Sequence, residues 1–127
     1  MKEYEQLINA LMELPTQIRE SQLLILSKNE ESQKISIEVS KLEAKIKAEI
    51  NAAVDTNGKK VFSNAEMREA ELVERSSNDL EISSLKETHE TISKEISIAR
   101  VDVEMLSNQQ RNTRSLLEFF AAFKDQI

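Results

Sequence analysis

The sequence predicts an all-α fold, a long antiparallel helical hairpin of the coiled-coil type. The chain of 127 residues contains one glycine and one proline, so residues that break helices are rare. Aromatic residues make up 4% and charged residues 31%, a balance typical of long helices rather than of a β fold. Apolar residues also recur at steps of three and four along both halves of the chain. We expect one helical domain over residues 1–127, and we expect it to be oligomeric.

The first predicted element is a short amphipathic helix over residues 1–14. Its apolar residues share one helical face: Tyr4, Leu7, Ile8, Leu11 and Met12. Pro15 has no backbone N–H and disfavours helical backbone at the residue before it, which predicts a kink or break there. Thr16 is then available as the N-cap of the next helix.

A long second helix is predicted over residues 16–54. Its two heptad rows are Ile25, Ser32, Val39, Ile46 and Ala53, and Ser21, Lys28, Ile35, Leu42 and Glu49. The apolar spacing is best from Ile35 onward. At 1.5 Å per residue this helix would be roughly 58 Å long.

Residues 55–63 are predicted to reverse the chain direction, either as a turn or as a tiny β-hairpin. They contain the only glycine, and the pair Asn57-Gly58 favours a turn with positive φ. Ser63 followed by Glu66 has the spacing of a capping box, so we expect a helix to restart at Ser63 or Asn64.

The last predicted element is a long helix over residues 64–125, with a possible break at the weak helix formers of residues 76–79. Beyond the break, steps of three and four predict a coiled-coil seam. The seam residues are Ile82, Leu85, His89, Ile92, Ile96, Ala99, Val103, Leu106, Gln110, Thr113, Leu117 and Phe120.

If the chain reverses at Gly58, a residue a given number of positions before Gly58 should face the residue the same number of positions after it. On this rule Ile46 lies near Leu72, Ile35 lies near Ile82 or Leu85, and the first helix lies opposite Leu106–Arg114. His89 falls opposite Ser32 and its neighbours. That position predicts a polar layer that fixes register, and a pH switch is the alternative because imidazole titrates near neutrality.

A second apolar stripe lies off the predicted seam, and a single hairpin does not bury both. It comprises Ile37 and Ala44 in the first arm and Ile98, Val101 and Met105 in the second. Exposed apolar surface of this kind marks interaction sites, so we assign Ile98, Val101 and Met105 to an oligomer face.

An aromatic cluster near the end of the chain is the predicted partner-binding site. Phe119, Phe120 and Phe123 extend beyond the reach of the first helix, and aromatic anchors dominate many binding energies. Arg111 and Arg114 would form its rim. The alternative is that these rings pack against the first helix or a second subunit.

Several chemistries have no basis in this sequence. There is no cysteine, and no phosphate loop, nucleophile elbow or His-Glu-x-x-His pattern occurs, so we predict no catalytic, cofactor-binding or metal-binding residue and no enzyme activity. The net charge of −6 disfavours direct binding to nucleic acid. Without a secretory signal or an apolar run long enough for a membrane span, we expect no membrane association and a cytoplasmic location.

Residues 46–75 resemble small coiled-coil proteins encoded by phages and prophages of Gram-positive bacteria. The residues that carry the resemblance are Asp55, Asn57, Gly58, Lys59, Phe62, Ser63, Asn64 and Arg68. Such proteins are encoded among recombination and single-strand-binding genes, which implies a role beside DNA processing in the cytoplasm of the host cell. The chain departs from this pattern at Ser76-Ser77, where Leu or Ala is expected.

Two functions are therefore predicted. In the first, the protein is a non-enzymatic phage accessory that binds and modulates another protein, such as a host defence factor, a nuclease or a recombination factor, through its coiled-coil faces. The alternative is an assembly or chaperone module, since helix, short β-hairpin and helix joined into an oligomer resembles prefoldin. An accessory protein should bind one or two partners, whereas a chaperone should bind many unfolded ones.

Overall fold

A computed structural model describes residues 2–124, and it confirms that the fold is all-helical. Three helices account for 89% of the structure: α1 spans Lys2–Ala52, α2 spans Ala65–Asn78 and α3 spans Leu80–Lys124. Between residues 2 and 124 there is no β-strand, and no helix there is both long enough and apolar enough to cross a membrane. By internal packing the chain divides into two units. We call Glu30–Ser93 the central unit, and the chain up to Asn29 together with the chain from Lys94 the terminal unit.

Helix α1 continues through Pro15, so the separate N-terminal helix predicted for residues 1–14 is not found. The physical reason is the phase of the apolar residues. Leu14 lies three residues after Leu11 and four before Ile18, and only 3% of it is exposed, so the buried face continues across the proline. Pro15 itself is exposed, and it removes one backbone hydrogen bond without interrupting that face. Met12 was predicted to share this face, but it is 72% exposed.

A compact loop connects α1 to α2, and it forms the turn rather than the β-hairpin. Its only β-pairing is a single antiparallel bridge between Val54 and Lys60. The carboxylate of Asp55 accepts hydrogen bonds from the backbone N–H groups of Asn57 and Lys59, both at 2.9 Å. Gly58 has φ of +78°, in the left-handed region that glycine adopts without steric cost. A side-chain carboxylate and one glycine therefore shape the loop.

Polar side chains cap the start of α2 and the start of α3. Asn64 is the N-cap, because its side-chain oxygen accepts from the backbone N–H of Met67 at 2.8 Å. The capping box predicted for Ser63 is not formed, and its hydroxyl instead contacts the sulfur of Met67 at 3.8 Å. Asp79 ends α2 with extended backbone and starts α3 by accepting from the N–H of Ile82 at 2.9 Å. The helical break is thus a single residue within the predicted run 76–79.

The terminal unit packs α1 up to Asn29 against α3 from Lys94 onward. Its buried residues are Leu14, Ile96, Ala99 and Thr113. The hydroxyl of Thr113 donates to the backbone carbonyl of Gln109 at 2.7 Å, which allows a polar residue to be buried in the seam. Lys28 forms an ion pair with Glu95 at 2.7 Å across the two helices.

The central unit has its own apolar core where the end of α1, helix α2 and the start of α3 meet. Ile46, Ile50 and Ile82 form the buried centre, with Val39, Leu42, Phe62 and Leu72 packed around it. Ile50 and Ile82 are the largest side chains that are almost completely buried. Such a core stabilises the unit in proportion to the apolar area removed from water.

The register of the central unit differs from the one predicted by counting outward from Gly58. Ile46 and Leu72 do share the core, as predicted. However, Ile82 also joins that core, and the alternative that Ile35 lies near Leu85 stays a prediction. Because the loop and α2 take up chain length before α3 begins, α3 starts beside the end of α1. The ion pair of Lys86 with Glu43 at 3.2 Å follows from this shift.

Candidate interaction surfaces

Helix α3 of the terminal unit carries an exposed apolar face beside its buried seam. The predicted oligomer residues lie on it, with Ile98 63%, Val101 54% and Met105 64% exposed. Soluble proteins rarely leave such a series of large apolar side chains open to water without a function for it.

The aromatic end of α3 belongs to this same face. Taking 100° per residue around a helix, six exposed residues fall within about 60° of one another. They are Ile98, Val101, Met105, Leu116, Phe119 and Phe123. We call this set the α3 stripe. Gln109 and Asn112 occupy the same face in the middle, so the stripe has two apolar halves separated by amides.

The phenylalanines form a cluster within a single helix. The ring centroids of Phe119 and Phe123 are 4.5 Å apart, and those of Phe119 and Phe120 are 6.1 Å apart with an edge-to-face geometry. Phe119 is 55% and Phe123 47% exposed, whereas Phe120 is the least exposed at 36% because it lies toward the seam. The rings therefore shield one another only in part.

Arg111 and Arg114 do not form a rim around the aromatic cluster. Helical geometry places them roughly 110° and 170° from the centre of the α3 stripe. Both are exposed, and the guanidinium group of Arg111 donates to the side-chain oxygen of Asn108 at 2.8 Å. The prediction counted their distance along the chain and neglected their angle around it.

In the central unit, α1 presents a shallow groove on its exposed side. Ile37 is 50% exposed, and the groove around it is lined by Ser36, Ser40 and Ala44. Residues Ile37 and Ala44 of the second predicted stripe therefore do lie on the outside of the unit. The small side chains on either side of Ile37 would allow another backbone to approach closely.

The loop between α1 and α2 is a second surface feature of the central unit. Val54 is 57% and Val61 45% exposed on the two sides of the loop. Phe62 anchors the loop, since its ring lies 5.7 Å below the guanidinium carbon of Arg75 and its carbonyl accepts from Arg68 at 3.3 Å. The turn residues Asn57 and Gly58 are exposed on this anchored loop.

His89 forms one hydrogen bond across the central unit. Its Nε2 atom lies 2.9 Å from the hydroxyl of Ser32, and both residues are half-buried. The pairing of His89 with Ser32 is the polar layer that sequence spacing predicted. Among residues 2–124 no group of His, Asp and Glu side chains is arranged to hold a metal ion.

Two buried residues of the central unit were missed by sequence reasoning. Ile50 replaces Glu49 in the seam because the spacing changes from three to four after Ile46, and the apolar character of Ile50 was the available signal. Ser76 is 8% exposed, and its hydroxyl has no hydrogen-bond partner among the described residues. The only sequence signal that Ser76 is buried was the expectation of Leu or Ala at this position.

Comparisons with protein-family models, curated proteins and solved structures each found no match to this chain.

Proposed function

We propose that the protein is a non-enzymatic, coiled-coil helical hairpin that binds other protein chains through its exposed apolar helix faces. In this proposal one face serves assembly with copies of itself. Another face binds and modulates a different protein, in a phage-encoded role close to DNA processing in the host cytoplasm.

The α3 stripe is the observation that carries the proposal. Helix α3 buries one face, represented by Ile96 and Ala99, inside the terminal unit. It leaves the stripe open at a spacing that suits a partner helix, because residues three and four apart share one side of a helix. The exposed Ile37 groove repeats this arrangement on α1.

The assembly or chaperone alternative has lost part of its support. It depended on a β-hairpin between two helices, whereas the structure has only the bridge between Val54 and Lys60 there. Exposed apolar residues alone are compatible with both the accessory and the chaperone function. The number of different proteins that the chain binds therefore discriminates between the two.

The experiment is affinity capture of the full chain from phage-infected cells, followed by direct binding to each purified candidate partner. We expect one or two proteins to bind at a fixed stoichiometry. The variants Ile37→Glu and Phe119→Ala with Phe123→Ala test the two faces, and Met12→Glu is a control at a residue that is 72% exposed on another surface.

One face variant should abolish direct binding, while Met12→Glu should bind like the wild type. A chain that binds no folded protein stoichiometrically, but suppresses the aggregation of many unfolded proteins, would refute the accessory function in favour of the chaperone.

A further inference from the structure

We propose that the α3 stripe binds the α3 stripe of a second copy of this chain, in an antiparallel arrangement centred between Gln110 and Arg111. The inference deepens the proposed function, on which it rests, by assigning an occupant to this face. It also joins two predicted sites, the oligomer face and the aromatic end, into one surface.

The stripe is self-complementary when its direction is reversed. The centre of the stripe lies between Gln110 and Arg111. Ile98 precedes this centre by as many residues as Phe123 follows it. The same holds for Met105 with Leu116, and for Gln109 with Asn112. Val101 falls opposite Phe120, adjacent to Phe119. At these positions an antiparallel pair of helices therefore matches apolar with apolar and amide with amide.

A two-fold axis at this point makes the interface isologous, so that every contact occurs twice. The stripe is about 38 Å long at 1.5 Å per residue, which provides repeated contacts on both sides of the axis. The opposed helix dipoles are also favourable in an antiparallel pair.

Side-chain size favours the antiparallel over the parallel arrangement. An antiparallel pair places the large rings of Phe120 and Phe123 against the smaller Val101 and Ile98, so each of these layers has a similar volume. A parallel pair would place ring against ring at one end and Val101 against Val101 at the other. Close packing requires large residues to face small ones, which the antiparallel register provides.

The central amides of Gln109 and Asn112 then fix the register of the two α3 helices. Each amide has both donor and acceptor groups, so the two can hydrogen-bond across the axis. A shift by one heptad in either direction would place Gln109 against Phe119 or Met105 and leave its amide unpaired. The polar interruption of the stripe thereby selects one alignment.

Cysteine cross-linking tests the direction of the pair, because the chain has no cysteine of its own. Met105→Cys and Leu116→Cys chains are mixed in a redox buffer and their disulfide products are compared. The antiparallel register predicts the mixed 105–116 product. It separates the two copies of residue 105 by about 16 Å along the axis, beyond the roughly 7 Å that a disulfide spans.

The control mixture is Leu23→Cys with Leu26→Cys, at positions 51% and 54% exposed on α1 of the same unit. It should give only the slow, unselective products of collision. Products linking 105 to 105 and 116 to 116 as the main species would overturn the antiparallel register.

Sedimentation of Met105→Glu tests whether the stripe holds the copies together. A glutamate there would face Leu116 of the second copy, and the buried charge should raise the dissociation constant by about tenfold or more. Met12→Glu is the matched control, since it makes the same substitution at a similarly exposed methionine of the same unit, and it should shift the constant less than about twofold.

A wild-type chain that remains monomeric at tens of micromolar would overturn this inference, as would a dimer that Met105→Glu does not weaken. Neither result would refute the proposed binding of a different protein, because direct binding of a purified partner to the face variants is measured separately. Loss of that binding in Phe119→Ala with Phe123→Ala, in a monomeric chain, would assign the stripe to the foreign partner instead.

Discussion

Replacing Ser76 with alanine should stabilise the protein. Ser76 is 8% exposed in α2, beside the core residue Leu72, and its hydroxyl is buried without a hydrogen-bond partner among the described residues. A buried polar group without a partner costs about 1 to 3 kcal/mol. Alanine removes that group and has the higher helix propensity.

The expected gain in the free energy of unfolding for Ser76→Ala is about 1 to 2 kcal/mol, after allowing for the lost packing of one oxygen atom. With a urea dependence of about 1 to 3 kcal/mol per molar, the midpoint should rise by roughly 0.3 to 2 M. Far-UV circular dichroism measures this midpoint. Amide hydrogen exchange in α2 measures the stability of the central unit locally.

Ser77→Ala is the matched control. Ser77 is the adjacent residue of the same helix, but it is exposed and its hydroxyl donates to the carbonyl of Val73 at 2.7 Å. Its replacement should change stability by no more than about 0.5 kcal/mol. If Ser76→Ala were neutral or destabilising while Ser77→Ala stayed within this limit, the Ser76 hydroxyl would have a partner in solution, and the reasoning would be refuted.

Three further predictions concern the backbone and the terminal core. Pro15→Ala should raise the free energy of unfolding by up to about 3 kcal/mol in urea denaturation, because it restores a hydrogen bond inside α1. A lower free energy of unfolding would instead show that the proline ring packs favourably. Gly58→Ala should lower stability by about 1 to 2 kcal/mol, and Gly58→Asn by less, since positive φ penalises a Cβ; equal losses would contradict this. Leu14→Ala should cost about 2 to 5 kcal/mol in thermal denaturation, whereas the exposed Met12→Ala should cost about 0.5 at most, and similar losses would disprove continuous burial through Pro15.

Sequence reasoning was most accurate where structure depends on local spacing. The predicted seam of α3 matches the observed burial from Ile82 to Leu117, and of the seam residues only Phe120 at its end is exposed, at 36%. Local chemistry also located the turn at Gly58 and the break near Asp79. Helical periodicity and glycine conformation are properties of neighbouring residues, and one sequence displays them directly.

The candidate surfaces were only partly predictable. Exposure of Ile98, Val101 and Met105 followed from their position off the seam, and exposure of Phe119 and Phe123 followed from the limited reach of the first helix. Their union into one stripe was missed because the two groups were considered as separate segments. The predicted rim of Arg111 and Arg114 was wrong for a different reason, because it neglected the angle of these residues around the helix.

The sequence by itself determined that the chain is helical, which face of α3 is buried and where the chain reverses. Only the tertiary structure decided that α1 continues through Pro15, because the burial of Leu14 offsets a hydrogen bond that local rules count as lost. It also decided that Ile82 lies with Ile46 and Ile50, since that register depends on the packing of α2 between distant segments. Local spacing specifies which residues a helix turns toward its neighbours, and the packing free energy of the whole unit selects which neighbours they meet.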